Sequence, residues 1–107
     1  MDRTNVLNLL GLARRARKLV AGEDTVIRYL KDRKIKIVFV ASDASEKQID
    51  KFDKKCFFYE TKMNNEFTSS ELSNAIGKQN IKILGITDQG FLDALNKSLD
   101  GGAINEG

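Results

Sequence analysis

The chain has 107 residues, of which 41% are hydrophobic and 31% are charged, and it contains one cysteine and no histidine. This length predicts one domain spanning residues 1–107. The lack of histidine excludes Ser–His–Asp and Cys–His nucleophile pairs and histidine zinc sites, which leaves carboxylate, lysine or oxygen-ligated metal chemistry for an enzyme. No apolar run reaches the ~18 residues of a membrane span and no signal-peptide pattern begins the chain, so we expect a cytoplasmic protein.

The net charge of +3 is unevenly distributed along the chain. Residues 1–36 hold ten Lys and Arg against four Asp and Glu, a sum of +6, whereas residues 37–107 hold eight against eleven, a sum of −3. A field concentrated in one half indicates a surface that binds polyanions. A solvated helix surface would carry the same charges, and the charge alone leaves both interpretations open.

Hydrophobic periodicity predicts a first helix capped by Thr4. This helix ends in the basic cluster Arg14–Lys18. The next three residues, Leu19–Ala21, are enough for a short strand that Gly22 closes. A second helix is predicted after Gly22, with Val26 and its apolar neighbours buried.

The middle of the chain reads as strand, helix, strand. Ile35–Ala41 is almost continuously apolar and β-branched, which is typical of a strand covered on both faces. Ser45 and Gln48 have the spacing of a capping box for a third helix. Cys56–Thr61 is predicted to be the next strand, with the cysteine buried rather than reactive. We expect most aromatic side chains in the core, which argues against a platform for stacking single strands; these are Phe39, Phe57, Phe58 and Phe91.

The last third predicts helix, strand, helix. Thr68 and Glu71 form a capping box for a short helix that stops at Gly77. Ile81–Ile86 is a further strand, and Asp88 can cap the last helix. We expect that helix to end at Gly101–Gly102, followed by a frayed tail over residues 103–107.

Strands and helices therefore alternate throughout the chain. This alternation predicts an α/β fold, a three-layer α/β/α sandwich around a small sheet. Strands that follow helices are expected to be parallel neighbours through right-handed crossovers.

The stretch Gly22-Glu23-Asp24-Thr25 combines a glycine with two acids at the start of a helix. Unpaired backbone N–H groups there suit phosphate, but carboxylates repel it. They would instead accept hydrogen bonds from base edges, such as N1 and N2 of guanine. The alternative is that both acids only complement the helix dipole.

Basic residues on both sides of this stretch are candidate phosphate contacts, with solvation as the alternative; they are the cluster Arg14–Lys18 and Arg28, Lys31, Arg33 and Lys34. Three acids, Asp43, Glu71 and Asp88, fall at strand ends or helix starts, where an α/β fold can hold a metal or a phosphoryl acceptor. Capping explains Glu71 and Asp88 without chemistry, and Asp43 with Ser42 can close a strand. The glycines form no GxGxxG or phosphate-loop spacing, so no nucleotide cofactor is predicted.

Five blocks in order resemble one known family: LGLARRARKLVAGEDTV, KIKIVFVASDAS, KKCFFYET, SSELSNAIGK and ILGITDQGF. They are similar to the kink-turn RNA-binding ribosomal protein family that includes L7Ae and L30e, and most of all to its bacterial YlxQ-like branch. The resemblance runs from about Leu10 to Leu95. It implies a mixed four-stranded sheet between helices, a cytoplasmic location, structured RNA as partner, no cofactor and no catalytic activity.

The resemblance also implies a site. The family's RNA grips the loop and helix start corresponding to Gly22 through Arg28, where an Asn–Glu pair meets guanines of sheared G·A pairs. Ungapped alignment places Asp24 and Thr25 at that pair and Arg28 at a following basic residue. A second contact in the family follows the SSELSNAIG block, beside a bulged nucleotide, and corresponds to Lys78 and Gln79.

Taken together, these features predict a non-enzymatic RNA-binding protein of the translation apparatus, whose RNA is ribosomal or another kink-turn RNA. We expect its recognition turn to consist of Gly22, Glu23, Asp24, Thr25 and Arg28, and its phosphate contacts to be Arg14, Arg15, Arg17, Lys18 and Lys31. A ribosomal protein or translation factor is a possible further partner. The alternative is a protein-interaction module on the same scaffold that docks through the acidic later half.

Overall fold

A computed structural model describes residues 1–100 of the chain. The predicted helix end at Gly101–Gly102 and the predicted tail 103–107 lie outside the described residues. Five helices and four strands alternate: α1 Arg3–Arg15, β1 Leu19–Ala21, α2 Glu23–Lys31, β2 Ile37–Val40, α3 Glu46–Phe58, β3 Lys62–Asn64, α4 Ser69–Ile76, β4 Ile83–Ile86 and α5 Gln89–Asp100. None of the described helices has the length and apolar character needed to cross a membrane.

The strands form one mixed sheet in the order β1-β4-β2-β3. β4 pairs antiparallel with both β1 and β2, and only β2 and β3 are parallel. The mixed four-stranded sheet implied by the resemblance is confirmed. The expectation of parallel neighbours is wrong for the pairs that involve β4, because a strand that returns between β1 and β2 can run in either direction.

The predicted three-layer α/β/α sandwich is confirmed. α1 packs against α4 and α5 on one face of the sheet, while α2 covers β1 and β4 and α3 covers β2 and β3 on the other. All residues of the two central strands are buried, because helices cover both of their faces. The largest fully buried side chains include Phe39, Phe52 and Phe67.

The prediction of a strand over Cys56–Thr61 is wrong. The first residues of this segment form the last turn of α3, Tyr59 caps it, and β3 begins only at Lys62. Phe52 and Cys56 are buried four residues apart, and this helical spacing keeps the segment on the core. Strand propensity of an aromatic run depends on its tertiary setting, and here the helix prevails.

Two aromatic side chains consequently lie at the surface. Phe57 is 87% exposed and Phe58 is 70% exposed, so the expectation that they belong to the core is wrong. Phe39 is buried as predicted, and Phe91 is half-buried against the core. Cys56 is buried, as expected, and burial raises the pKa of its thiol to about 11.

The helix ends confirm some predicted caps and correct others. Asp2, and not Thr4, caps α1, because its side chain accepts a hydrogen bond from the N–H of Asn5. Ser45 caps α3, but the Gln48 side chain does not return to it and bonds elsewhere, so this is no reciprocal capping box. The remaining predicted caps are confirmed: the box of Thr68 and Glu71, Gly77 at φ 67°, and Asp88, which accepts from the N–H of Phe91.

Candidate nucleic-acid interface

The turn between β1 and α2 is anchored to the centre of the sheet. The N–H of Gly22 donates to the carbonyl of Ile83 at 2.9 Å, and the Gly22 carbonyl accepts from the N–H of Val26 at 3.0 Å. Gly22 has a φ of 99°, which favours glycine. No side chain caps α2, so its first N–H groups point outward without an intrahelical partner.

Glu23 links this turn to α3. Its Oε1 accepts a hydrogen bond from Gln48 Nε2 at 2.9 Å, and its Oε2 accepts from Lys51 Nζ at 2.6 Å. These bonds, that of Lys51 first, lower the pKa of the Glu23 carboxyl below its usual range. The Glu23 carboxylate is therefore ionised at neutral pH and engaged with α3.

Asp24 differs from its neighbour. It is exposed, and within residues 1–100 its carboxylate makes no hydrogen bond or ion pair. Thr25 beside it is half-buried, and Arg28 is exposed one turn further on, with its guanidinium carbon 5.7 Å from the ring centre of Tyr29. The turn thus presents one carboxylate and one guanidinium to solvent on the same helix start.

The loop after α4 lies at the same end of the sheet. It leaves Gly77, is held to α4 by the N–H of Ile81 on Ser73 Oγ at 2.9 Å, and leads into β4 at Ile83, where Gly22 is anchored. The residues at its tip are exposed: Lys78, Gln79 and Asn80. We call the end of the sheet at Gly22 and Ile83 the turn end.

Four of the predicted phosphate contacts lie close together at the end of α1, where the N–H of Arg17 donates to the carbonyl of Arg14 and the N–H of Lys18 to that of Ala13. Arg14 and Arg15 line a groove between α1 and α4 beside Gly77, next to the loop of the turn end. Arg17 and Lys18 precede β1, whose four steps of about 3.3 Å place Lys18 some 13 Å from Gly22.

We call the opposite end of the sheet the basic end. There the N–H of Thr87 donates to the carbonyl of Lys18 and the N–H of Lys36 donates to that of Ile86. Because α2 runs back from the turn end to β2, its last residues also lie there, among them Lys31.

The three acids considered for metal or phosphoryl chemistry stabilise the starts of helices through hydrogen bonds. Asp43 accepts from the N–H and Oγ of Ser69, and these bonds lower the pKa of its carboxyl. Glu71 accepts from the N–H of Thr68 and from Arg3, which likewise lowers the pKa of its carboxyl. Asp88 caps α5. Their hydrogen bonds account for these side chains without a ligand.

The sequence profile of the Ribosomal protein L7Ae/L30e/S12e/Gadd45 family matches residues 4–96. The chain belongs to this family. It is 40% identical over 100 residues to the RNA-binding protein YlxQ of Enterococcus faecium, covering 94% of this chain and 96% of the relative. It is 39% identical over 92 residues to the RNA-binding protein YlxQ of Bacillus subtilis strain 168, covering 86% and 92%. The resemblance read from the five sequence blocks is thereby confirmed.

Two solved structures have the same fold as this chain. A protein of unknown function from Bacillus halodurans superposes with a TM-score of 0.84 at 34% identity, over 89% of this chain and 96% of that one. The 15.5kD RNA binding protein of Giardia lamblia superposes with a TM-score of 0.73 at 16% identity, over 98% and 89%. At that identity the second likeness shows the fold alone.

Sequence reasoning missed how Glu23 is held. Its partners Gln48 and Lys51 lie 25 and 28 residues further along the chain, and no local pattern connects them to it. The capping-box spacing of Ser45 and Gln48 instead predicted that the Gln48 side chain bonds to the start of its own helix. The starts of α2 and α3 meet because the order of the strands places both helices side by side on one face of the sheet, and local sequence patterns do not predict that order.

Proposed function

We propose that this chain is a non-enzymatic RNA-binding protein of the translation apparatus that recognises kink-turn-like RNA through its turn end. The observation that carries the proposal is the exposed carboxylate of Asp24, without a partner among residues 1–100, on a turn anchored to β4. Two relatives that cover nearly the whole chain are named RNA-binding proteins, which supports the same conclusion.

The two acids of the turn have different roles in this proposal. Asp24 accepts hydrogen bonds from N1 and N2 of a guanine whose edge is exposed by a non-Watson–Crick pair. Glu23 positions the turn, because both of its oxygens are bound by α3. Thr25 is shorter than the glutamate common at its place in the family and makes the weaker contact. Arg28 meets a phosphate one turn along α2.

Phosphates are neutralised by residues on both sides of the turn. Lys78 and Gln79 flank a bulged nucleotide from the loop after α4, and Arg14 and Arg15 continue this surface along the groove beside Gly77. The contacts at the basic end, where Arg17, Lys18 and Lys31 lie, need RNA that extends beyond the kink-turn. Such contacts make the affinity strongly dependent on salt.

The remaining parts of the proposal follow from this role. We infer that residues 1–107 form a single domain, that the protein acts in the cytoplasm, and that the RNA is ribosomal or another kink-turn RNA. A ribosomal protein or translation factor can bind the same complex. The acids Asp43, Glu71 and Asp88 stabilise helix starts, which fits a protein without catalysis.

Crosslinking in cells followed by sequencing of the bound RNA tests the proposal. We expect enrichment of RNA segments that contain tandem G·A pairs beside a bulge, and loss of that enrichment when Asp24 and Arg28 are both replaced by alanine. Recovery of protein partners alone, unaffected by changes at the turn end, would instead support a protein-interaction module that docks through the acidic later half.

A further inference from the structure

The basic end carries an aromatic surface that the proposed kink-turn contact does not use. The most exposed large hydrophobic side chains of residues 1–100 are Phe57, at 87%, and Phe58, at 70%, in the last turn of α3. α2 and α3 begin side by side at Glu23 and end side by side at Arg33 and Tyr59. Because α3 has 13 residues of about 1.5 Å rise, this surface lies about 20 Å from the turn end.

Two of the aromatic rings at this end, those of Phe58 and Tyr59, contact each other, and the second also contacts a cation. The rings of Phe58 and Tyr59 meet edge to face with centres 4.9 Å apart and planes at 90°. The guanidinium carbon of Arg33 lies 5.5 Å from the centre of the Tyr59 ring. A guanidinium over a ring and a ring against a ring form one continuous, preorganised row.

The row is surrounded by positive charge. The basic residues at this end include the exposed Arg17, Lys18, Lys31, Arg33, Lys34 and Lys54 and the half-buried Lys36 and Lys55. The acids nearby are fewer: Asp32 after α2, Asp53 and Glu60 on either side of the two phenylalanines, and Asp88, whose carboxylate accepts from the N–H of Phe91. Exposed aromatic faces within a basic surface are the combination that binds single-stranded nucleic acid, by stacking and by phosphate contacts.

We propose that the basic end is a second RNA site, which binds a single-stranded segment with bases stacked on Phe57 and Phe58. Arg33 and Lys34 neutralise the phosphates of that segment, and Arg17 and Lys18 extend the surface across the sheet. The site is separate from the turn end and does not depend on guanine recognition there. A structured RNA and a single-stranded segment can then occupy the protein together.

Two arginines of this surface occupy positions where glycine is the usual residue. Arg17 has φ 62° and Arg33 has φ 56°, each the second residue past the end of a helix, and Gly77 has a similar φ of 67° after α4. Glu60 shares this geometry at φ 55°. Replacement of Arg17, Arg33 or Glu60 by glycine removes a charge without backbone strain. The three variants share one backbone geometry, but two of them lose a positive charge and one loses a negative charge.

The test uses the full chain and a fluorescein-labelled oligouridine of about 12 nucleotides, with binding followed by fluorescence anisotropy. We expect the double change Phe57→Ala and Phe58→Ala to weaken binding roughly tenfold or more, because each stacked base is lost. The double change to tyrosine should retain binding, whereas the double change to leucine should lose it. Thermal unfolding of each variant serves as the control, and we expect it to be unchanged because both side chains are exposed.

Further variants test the contribution of charge and distinguish this site from the turn end. Arg33→Gly should weaken oligouridine binding and flatten its dependence on salt, whereas Glu60→Gly, at the same backbone geometry, should leave it unchanged or tighten it. Asp24→Ala should not alter oligouridine binding, so failure of the kink-turn proposal and failure of this one are distinguishable.

Several outcomes would overturn the proposal. Oligouridine binding as tight in the double alanine variant as in the unmodified protein would exclude a stacking site. Equal binding by the leucine variant would show a hydrophobic contact without stacking. A change from dimer to monomer on alanine substitution, with RNA binding intact, would assign the surface to self-association.

Discussion

Replacement of Asp24 by alanine separates base recognition from a role in helix stability. The carboxylate lies in the first turn of α2, is exposed, and makes no hydrogen bond within residues 1–100. Its interaction with the helix dipole is typically worth ~0.3–1 kcal/mol, so the free energy of unfolding should fall by no more than that. A hydrogen bond to a charged group contributes ~1.5–3 kcal/mol, so loss of a guanine contact should weaken RNA binding by roughly tenfold to a hundredfold.

The assay is a titration of a labelled kink-turn RNA and of a plain duplex of similar length, at one fixed salt concentration. Asp24→Ala should weaken binding to the kink-turn and not to the duplex, since only the kink-turn exposes guanine edges. Asp24→Asn keeps an acceptor, so its affinity for the kink-turn should fall between those of the unmodified protein and Asp24→Ala. If Asp24→Ala binds the kink-turn as tightly as the unmodified protein, Asp24 only stabilises the helix and base recognition by this residue is wrong.

Glu23→Gln is the matched comparison for this experiment. The two acids are adjacent in the same turn, but Glu23 is bound by Gln48 and Lys51. The change removes the ion pair to Lys51 and should reduce stability slightly, by up to about 1 kcal/mol for a partly exposed pair. Its effect on RNA should be smaller than that of Asp24→Ala. A larger effect would show that Glu23 itself reads the base.

Three further predictions concern salt, packing and pH. Reversing the charge of Arg14 and Arg15 should weaken RNA binding and reduce the slope of log affinity against log salt by about 0.7–0.9 per lost contact; an unchanged slope would contradict phosphate contact. Gly11→Ala normally favours a helix by about 1 kcal/mol, but its Cβ would lie 2.8 Å from a backbone oxygen of α4. We therefore expect a lower melting temperature, and a higher one would refute this packing. The pKa of Glu71 is lowered by the N–H of Thr68, so its stabilisation is present above the usual value of 4.5 and is lost as pH falls through the lower native value. Melting temperatures of Glu71→Gln and the unmodified protein should converge as the pH falls below 4.5, and a constant difference would refute the linkage.

The sequence was most informative where local chemistry and tertiary packing agree. Continuous apolar character predicted the buried strand around Phe39, and the spacing of Thr68 and Glu71 predicted a capping box that the structure contains. Both signals are local, because a strand covered on both faces and a helix cap depend on a few neighbouring residues. The family was likewise predictable, because five sequence blocks similar to it occur in order along the chain.

The errors arose where distant contacts decide. The run from Cys56 to Tyr59 has strand composition, yet Phe52 and Cys56 bury one face of a helix that continues through it. That error hid Phe57 and Phe58, which the helix turns toward solvent. Contacts between segments far apart in sequence decide both the order of the strands and the bond from Gln48 to Glu23.

The position of Asp24 at a helix start could be predicted from the sequence, but the lack of a partner for its carboxylate within residues 1–100 could not. Two adjacent acids at a helix start look equivalent in the sequence, and both complement the dipole. Only the neighbouring helix distinguishes them, because Lys51 and Gln48 reach Glu23 and leave Asp24 exposed. The candidate site is therefore the predicted turn with its two carboxylates assigned to different roles.

The most direct test of the central claim compares one RNA in two forms with the unmodified protein. The first form contains a kink-turn with tandem sheared G·A pairs, and the second replaces those pairs by Watson–Crick pairs and leaves length and charge unchanged. We expect binding at least about tenfold tighter to the first form at the same salt concentration, because the phosphate contacts are shared and only the guanine edges differ. Equal affinity for the two forms would contradict recognition of the kink-turn by the turn end.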